Sequence, residues 1–214
     1  MFKIDLHIHT RNSGDNSTDP EDIIEQAIEV GLDGIAITEH DYFCLSEEVE
    51  PLIDKYKDRL VIIRGVEFTT SQGHCLVFGV DTDRFFKGNI DMDVLIKEVD
   101  SLGGIAIPSH PYRTINSIGD RLFGLSGLKV IEGHNGCNMK YMNDKAIEVS
   151  RQLKIPYIGG SDAHTAFDVG NCYTVFKQRV DKDNIVSSLK AGGYISVDNR
   201  GFGRILKYIR IGGY

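Results

Sequence analysis

The 214-residue sequence contains no apolar run approaching the length of a bilayer span, which excludes placement in a membrane through a helix. It has no C-x-x-C pair, since Cys44, Cys75, Cys137 and Cys172 are scattered. No signal-peptide pattern precedes the first strand-like segment, Phe2-Lys3-Ile4-Asp5-Leu6, so the cysteines are expected to be reduced thiols in a cytoplasmic protein. Cys75 lies beside a histidine, but a lone cysteine is most often a small buried hydrophobe. There is no basic excess: the formal net charge is −7, which argues against binding nucleic acid through a basic face. An anionic substrate stays compatible, because bound divalent cations would invert the local field. No G-x-G-x-x-G turn follows the first strand, which weakens a dinucleotide-binding reading. Repeats, low-complexity tracts and linkers are also missing, so residues 1–214 are expected to form one domain.

With 41% apolar and 26% charged residues the composition is that of a folded globular chain, and its apolar segments alternate with helical patterns throughout. Asp19-Pro20-Glu21-Asp22 has the form of a helix start, Asp19 as N-cap and Pro20 in the first position. Ile23, Ile24, Ala27 and Ile28 then mark one helical face, and Gly31 can end it. Further helices are expected over 45–57, 91–102, 140–153 and near 183–190. Strands are expected at 34–38, 60–63, 75–78, 105–107, 129–131, 155–158, 173–176 and 205–211. Strand–helix alternation with near-continuous apolar strands predicts an α/β fold whose parallel strands are buried on both faces, as a barrel or an open doubly wound sheet.

The seven histidines, His7, His9, His40, His74, His110, His134 and His164, all fall at or beside the end of an expected strand. Barrels of this kind build their sites at the C-terminal strand ends, and histidines placed by chance would not avoid helices so completely. His7 and His9 are two apart, so on a strand both imidazoles face one side while Ile8 faces the other. Asp162 and His164 repeat that spacing. Glu67 and Asp15 add carboxylates: a buried carboxylate needs a partner, and a cation is the obvious one. Simpler readings pair Glu67 with Arg64 and let Asp15 close a turn in Ser13-Gly14-Asp15-Asn16-Ser17.

Five ordered motifs carry a resemblance across nearly the full chain. They are His7-x-His9, Thr38-Glu39-His40-Asp41, Gly65-Val66-Glu67, His110-Pro111, and Gly160-Ser161-Asp162-Ala163-His164. The chain resembles the PHP family, the polymerase and histidinol phosphatase domains. The resemblance implies a distorted seven-stranded β/α barrel, TIM-like, with two to three divalent ions. One ion would take His7, His9, Glu67 and Asp162; a second would share Glu67 and add His74 and His110. A third would take Asp15, His40 and His164. Nitrogen and oxygen donors suit Zn²⁺, Mn²⁺ or Fe²⁺ alike. Such ions lower the pKa of bound water towards neutrality and hold phosphoryl oxygens in line.

The implied activity is hydrolysis of a phosphomonoester on a nucleotide or small metabolite. Arg113 is the first candidate for a phosphate-binding cation, ahead of Arg11 and then Lys140. His134 lies outside the ligand pattern; at a strand end it is expected to face the same mouth, as a general acid or a substrate hydrogen-bonder. Only 43 positions separate Glu67 from His110, too few for the helical lid that some relatives insert there, so an open site is expected. The competing readings are cleavage at a short nucleic-acid end, amide or ring hydrolysis, and a metal-binding module without turnover.

Overall fold

The computed structural model describes residues 1–83, 85 and 89–201. The expected strand at 205–211 lies outside them. Nine strands alternate with five α-helices and short 3₁₀ turns. The strands are β1 (Phe2–Ile8), β2 (Gly34–His40), β3 (Val61–Thr70), β4 (Gly73–Phe78), β5 (Ile105–Pro108), β6 (Ile131–Asn135), β7 (Tyr157–Gly160), β8 (Cys172–Phe176) and β9 (Ile195–Asp198). The helices are α1 (Pro20–Glu29), α2 (Glu50–Tyr56), α3 (Met92–Ser101), α4 (Lys140–Leu153) and α5 (Ile185–Ala191).

Local chemistry sets the helix ends. Asp19 caps α1 by accepting from the Glu21 N–H, and Pro20 occupies its first turn, where a missing N–H costs nothing. Asp91 caps α3 in the same way. The single helix expected over 45–57 is instead a 3₁₀ segment, Phe43–Val49, followed by α2. Pro51 accounts for the break: it cannot donate to a preceding carbonyl, so it is tolerated only where a helix begins.

Strand direction also departs from expectation. β1, β2 and β3 are parallel, but β4 returns antiparallel to β3 across the Ser71–Gln72 turn, which leaves no room for a crossover helix. β5 and β8 are antiparallel to their neighbours as well, and β9, which hydropathy does not mark, adds an antiparallel edge to β8. The result is a curled seven-stranded sheet in the order β5-β4-β3-β2-β1-β8-β9, with β6 and β7 paired as a separate parallel sheet. Among the described residues no backbone ladder joins β5 to β6 or β7 to β8. Side chains bridge both gaps. Glu132 of β6 accepts from the His110 N–H beyond β5, and the Thr174 hydroxyl of β8 bonds both the N–H and the carbonyl of Gly159 on β7.

Ile4, Leu6, Ala36, Ile63, Leu76, Phe78, Ile107 and Ile158 fill the concave interior beneath the site. α1 and α2 cover Ile8, Ile35, Ile37 and Ile62 on the outside, and α3 covers Val66, Cys75, Val77 and Ala106. One irregularity in β1 decides which face the histidines use. Ile4 and Leu6 point inward, so strict alternation would send His7 outward. The β1–β2 register slips between Asp5 and Ile8, placing one extra residue on β1. That bulge reverses parity: Ile8 joins the outer layer, and His7 and His9 turn inward above Leu6.

β6 carries a matching slip, between Glu132 and His134. Glu132 therefore faces His7 while His134 turns away from it. Only glycine fits between them, because a Cβ on Gly133 would sit 2.3 Å from the Tyr157 ring. Gly133→Ala is expected to cost about 1–3 kcal/mol through overpacking. At about 2–4 °C per kcal/mol for a chain of this size, a thermal melt resolves that loss. An unchanged melting temperature would mean that the bulge tolerates a side chain.

Candidate metal centre

Strand ends place five of the nine expected ligands, His7, His9, His40, His74 and His110, around a sixth, the buried carboxylate of Glu67. Glu67, at the inward end of β3, is 1% exposed. Its Oε1 lies 3.2 Å from His7 Nε2 and 3.2 Å from His110 Nε2. Its Oε2 lies 3.3 Å from His40 Nδ1, 3.3 Å from His74 Nδ1 and 3.5 Å from His9 Nε2. Asp162 Oδ1 is 3.4 Å from both His7 Nε2 and His9 Nε2. Asp15 and His164 join from the rim: Asp15 Oδ2 is 3.0 Å from His40 Nε2 and 3.0 Å from His164 Nε2. Burial falls off outward. His7, His9 and His110 are fully buried, whereas the His40, His164 and Asp15 side chains are 23%, 33% and 41% exposed.

Three ligand-sized groups emerge from this packing: His7, His9 and Asp162; His40, Glu67 and His74; and His9, His40 and His164. They overlap the expected sets without coinciding with them. His40 clusters with Glu67 and His74 as well as at the rim, and His9 approaches His164. His110 meets Glu67 and the His7 and His74 rings but belongs to none of these three groups. The donor chemistry suits divalent ions. Glu67 Oε1, His74 Nδ1 and both ring nitrogens of His110 are buried without a hydrogen-bond partner, although buried polar groups are almost always satisfied. A cation among them would supply the missing partner. His7 Nε2 and His9 Nε2 are 3.0 Å apart, a spacing that two imidazole lone pairs accept only with a proton or a cation between them.

Backbone geometry aims these side chains. His110 has φ 30° and Asp162 has φ 55°, left-handed conformations that non-glycine residues adopt only when held there. Asp162 is held by its N–H, which donates to the His7 carbonyl at 2.7 Å, and the His9 N–H returns a bond to Ala163 at 2.9 Å. Gly160 passes so close beneath His7 that a Cβ there would lie 2.4 Å from the histidine Cβ.

Electrostatics follow burial. Burial alone would raise the Glu67 and Asp162 carboxyls and lower the two imidazoles. The pairing overrides it. His7 with neighbouring imidazoles holds Glu67 well below the usual carboxylate range, and His7 and His9 do the same for Asp162. Glu67, Asp162 and Glu132 in turn hold His7 well above 6.5, and bonds to Asp162 and Glu67 lift His9 to about 9.

The candidate cations separate clearly. Arg113, half-buried, donates to Asp162, to Asn135 Oδ1 at 3.0 Å and to Asn138 Oδ1 at 3.0 Å, so its guanidinium stands at the edge of the cluster. Arg11 is tied to Asp19 and Glu48, and Lys140 to Asp144 at 2.7 Å; neither contacts the cluster. His134 does not face the mouth as expected. Its Nδ1 bonds Ser196 Oγ at 2.8 Å, its ring packs edge-on to Tyr157, and it lines a separate cavity of about 610 Å³ with Met139, Lys140 and Arg200. The bulge at Gly133 is the cause. Arg64 pairs with Glu50 and Ser46 rather than with Glu67, because positions 64 and 67 lie on opposite faces of β3. Cys75 faces the outer layer, where burial pushes its thiol up.

Several residues at the site have no metal-ligand pattern. Glu132 is fully buried; its Oε1 bonds His7 Nδ1 at 2.9 Å, and its Oε2 accepts from the His110 N–H at 2.7 Å and Asn135 Nδ2 at 2.9 Å. Glu39, also fully buried, accepts from Thr10 and from Ser13 Oγ, which lies 3.1 Å from His9 Nδ1. Asp5 accepts the N–H groups of His7, Ser161 and Gly170, tying β1 to the Asp162 loop. Glu132 and Asp5 are signalled in the sequence only by an acidic residue in an apolar strand segment, whereas Glu39 lies within the Thr38-Glu39-His40-Asp41 motif.

Known proteins resemble large parts of this chain. An uncharacterized protein of Methanocaldococcus jannaschii is 30% identical over 147 residues, covering 63% of this chain and 84% of the relative. A second uncharacterized protein of that organism is 26% identical over 189 residues, covering 83% and 71%. Among solved structures, PsfC from Pseudomonas syringae matches with a TM-score of 0.71 at 17% identity, covering 98% of this chain and 96% of that one. A candidate metal-dependent phosphoesterase of Bifidobacterium adolescentis matches at 0.63 and 18%, covering 88% and 96%. An endonuclease Q solved with an abasic-site duplex matches at 0.70 and 19%; this chain covers 57% of its length. The PHP domain model matches residues 5–87 and the PHP-associated model residues 140–194, so with the five motifs drawn into one centre, the chain belongs to the PHP family.

Proposed function

We propose that the protein hydrolyses a phosphate ester, with a phosphomonoester of a nucleotide or small metabolite as substrate, using two to three divalent ions. Zn²⁺, Mn²⁺ and Fe²⁺ all fit the nitrogen and oxygen donors. The carrying observation is the set of buried, unpartnered nitrogen and oxygen atoms on Glu67, His74 and His110, with His7, His9 and His40 also packed against Glu67. Such ions supply a water acidic enough to attack near neutral pH and a counter-charge for the phosphoryl oxygens. The chain's own residues do the rest. Glu67, His7, His9, His74, His110 and Asp162 hold the deep positions, and Asp15, His40 and His164 hold a position at the rim. Their graded exposure leaves the rim side open to an incoming ester.

Arg113 is the phosphate-binding cation in this reading, because its guanidinium already bonds a carboxylate oxygen of Asp162 at the edge of the cluster. A guanidinium offers two parallel donors to a dianion, which an ammonium cannot reproduce. Arg113→Ala is expected to raise KM about tenfold or more with metal content unchanged, and Arg113→Lys to recover only part of that. Kinetics equal to wild type would return Arg113 to a purely structural role with Asp162 and Asn138.

The test of the function itself is a panel of phosphomonoesters, dinucleotides and cyclic amides, assayed with Mn²⁺ or Zn²⁺ before and after exhaustive chelation. Turnover confined to monoesters and lost on chelation supports the reading. Selective cleavage of dinucleotides would move the substrate to a nucleic-acid end, and turnover of the amides would change the reaction class. Inertness with metal fully loaded would leave a binding module.

A further inference from the structure

We propose that Glu132 is the positioning residue that locks together the two ion positions sharing Glu67. The inference rests on the metal-dependent reading above, and it concerns a residue outside every expected ligand set. Glu132 projects from the two-stranded sheet into the gap beside β5, and its two oxygens divide between two ligands. Oε1 lies 2.9 Å from His7 Nδ1, which fixes the proton on that nitrogen and leaves Nε2 to face Glu67 and Asp162. Oε2 accepts the backbone N–H of His110 at 2.7 Å. That bond holds His110 in its left-handed conformation, the one that aims its ring at Glu67 Oε1. The same Oε2 accepts from Asn135 Nδ2, whose amide group also bonds Asp162 and Arg113.

One fully buried carboxylate thus sets the tautomer of a ligand at one position and the backbone of a ligand at the other. It also reaches the candidate phosphate cation through Asn135. The two oxygens face three donors in total, an arrangement that only an acceptor-only group satisfies. A glutamine of the same shape has a single acceptor oxygen, and its NH₂ would confront either His7 Nδ1–H or the donors on the His110 side. It can serve one position and not both. A residue supporting His7 alone would not reach the second position.

The experiment compares wild type, Glu132→Gln and Glu132→Asp, each loaded with Zn²⁺ and titrated with a chromophoric chelator. Anomalous scattering from crystals at limiting Zn²⁺ then locates the ions that stay. Loss of an outer hydrogen bond to a ligand commonly weakens metal affinity about 10–100-fold. Glu132→Gln is expected to weaken retention by that factor at both Glu67-sharing positions, while the rim position of His40 and His164 keeps its ion. Glu132→Asp retains two acceptors but is one methylene too short to reach both sides, so it should shift retention the same way. It supplies the answer if the glutamine variant does not fold by circular dichroism. Wild-type retention in a folded variant, or loss at the His7 position alone, overturns the inference. Wild-type protein retaining no Zn²⁺ overturns the metal reading instead.

Discussion

Glu67→Gln is expected to lower hydrolysis by at least about 100-fold, beyond the 10–100-fold typical of losing an outer contact. Five imidazoles, from β1, β2, β4 and the residues just beyond β1 and β5, converge on the two Glu67 oxygens at 3.2–3.5 Å. An amide keeps one acceptor, presents two donors to nitrogens that must offer lone pairs, and removes the negative charge that balances a cation. The same change should destabilise the metal-free protein, because removing one partner of a buried ion pair costs about 3–5 kcal/mol. Asp15→Asn is expected to be far milder, under about tenfold, since Asp15 is 41% exposed and meets only His40 and His164. Activity and metal content measured side by side decide the matter. Equal losses in the two variants at equal metal content would remove Glu67 from its central place.

How much of this was legible beforehand depended on which half of each strand carried the information. The apolar halves announced themselves: α4 begins and ends where its pattern predicts, and Asp19-Pro20 opens α1 as its chemistry requires. The strands run longer than hydropathy suggests because their C-terminal halves are polar. β1 continues through His7, β2 through His40 and β3 through Glu67 to Thr70, so the residues that build the site are those that blur the strand signal. Sheet direction was less readable. A two-residue turn before His74 reverses β4, yet Ser71-Gln72 carries none of the glycine or asparagine that marks such hairpins.

The candidate ligands could be collected from the sequence because six of the nine are histidines, and histidines at strand ends are conspicuous. Their supports could not. Glu132 and Asp5 sit inside apolar strand segments, where one acidic residue suggests an exposed edge as readily as a buried brace. His134 shows the opposite error: its spacing from Glu132 implies a common face, and one inserted residue in the ladder separates them. Bulges arise from packing between strands distant in sequence, so periodicity along either strand alone cannot reveal them.

Metal uptake is expected to strengthen steeply with pH, because protons hold the ion positions when metal does not. His9 is lifted to about 9 and His7 is raised above 6.5, but their Nε2 atoms are 3.0 Å apart and share a single proton, which the pair keeps at neutral pH while Glu67 and Asp162 stay ionised. A cation must expel that proton, and its release raises apparent affinity about tenfold per pH unit. The gain continues up to about pH 9, where it levels off. Calorimetric titration with Mn²⁺ in buffers of different ionisation enthalpy counts the protons directly. Stability of the metal-free protein should run the other way. The raised histidines contribute stability that is fully present below 6.5 and lost as pH rises through about 9. The depressed carboxylates contribute stability present above about 4.5 and lost as pH falls through their lowered values. The metal-free melting temperature should therefore peak between roughly pH 4.5 and 6.5 and decline towards 9, while Mn²⁺ raises it most at the alkaline end. An affinity that is flat from pH 6.5 to 8, with no buffer-dependent heat, would show that His7 and His9 are already neutral and that no proton competes for their nitrogens.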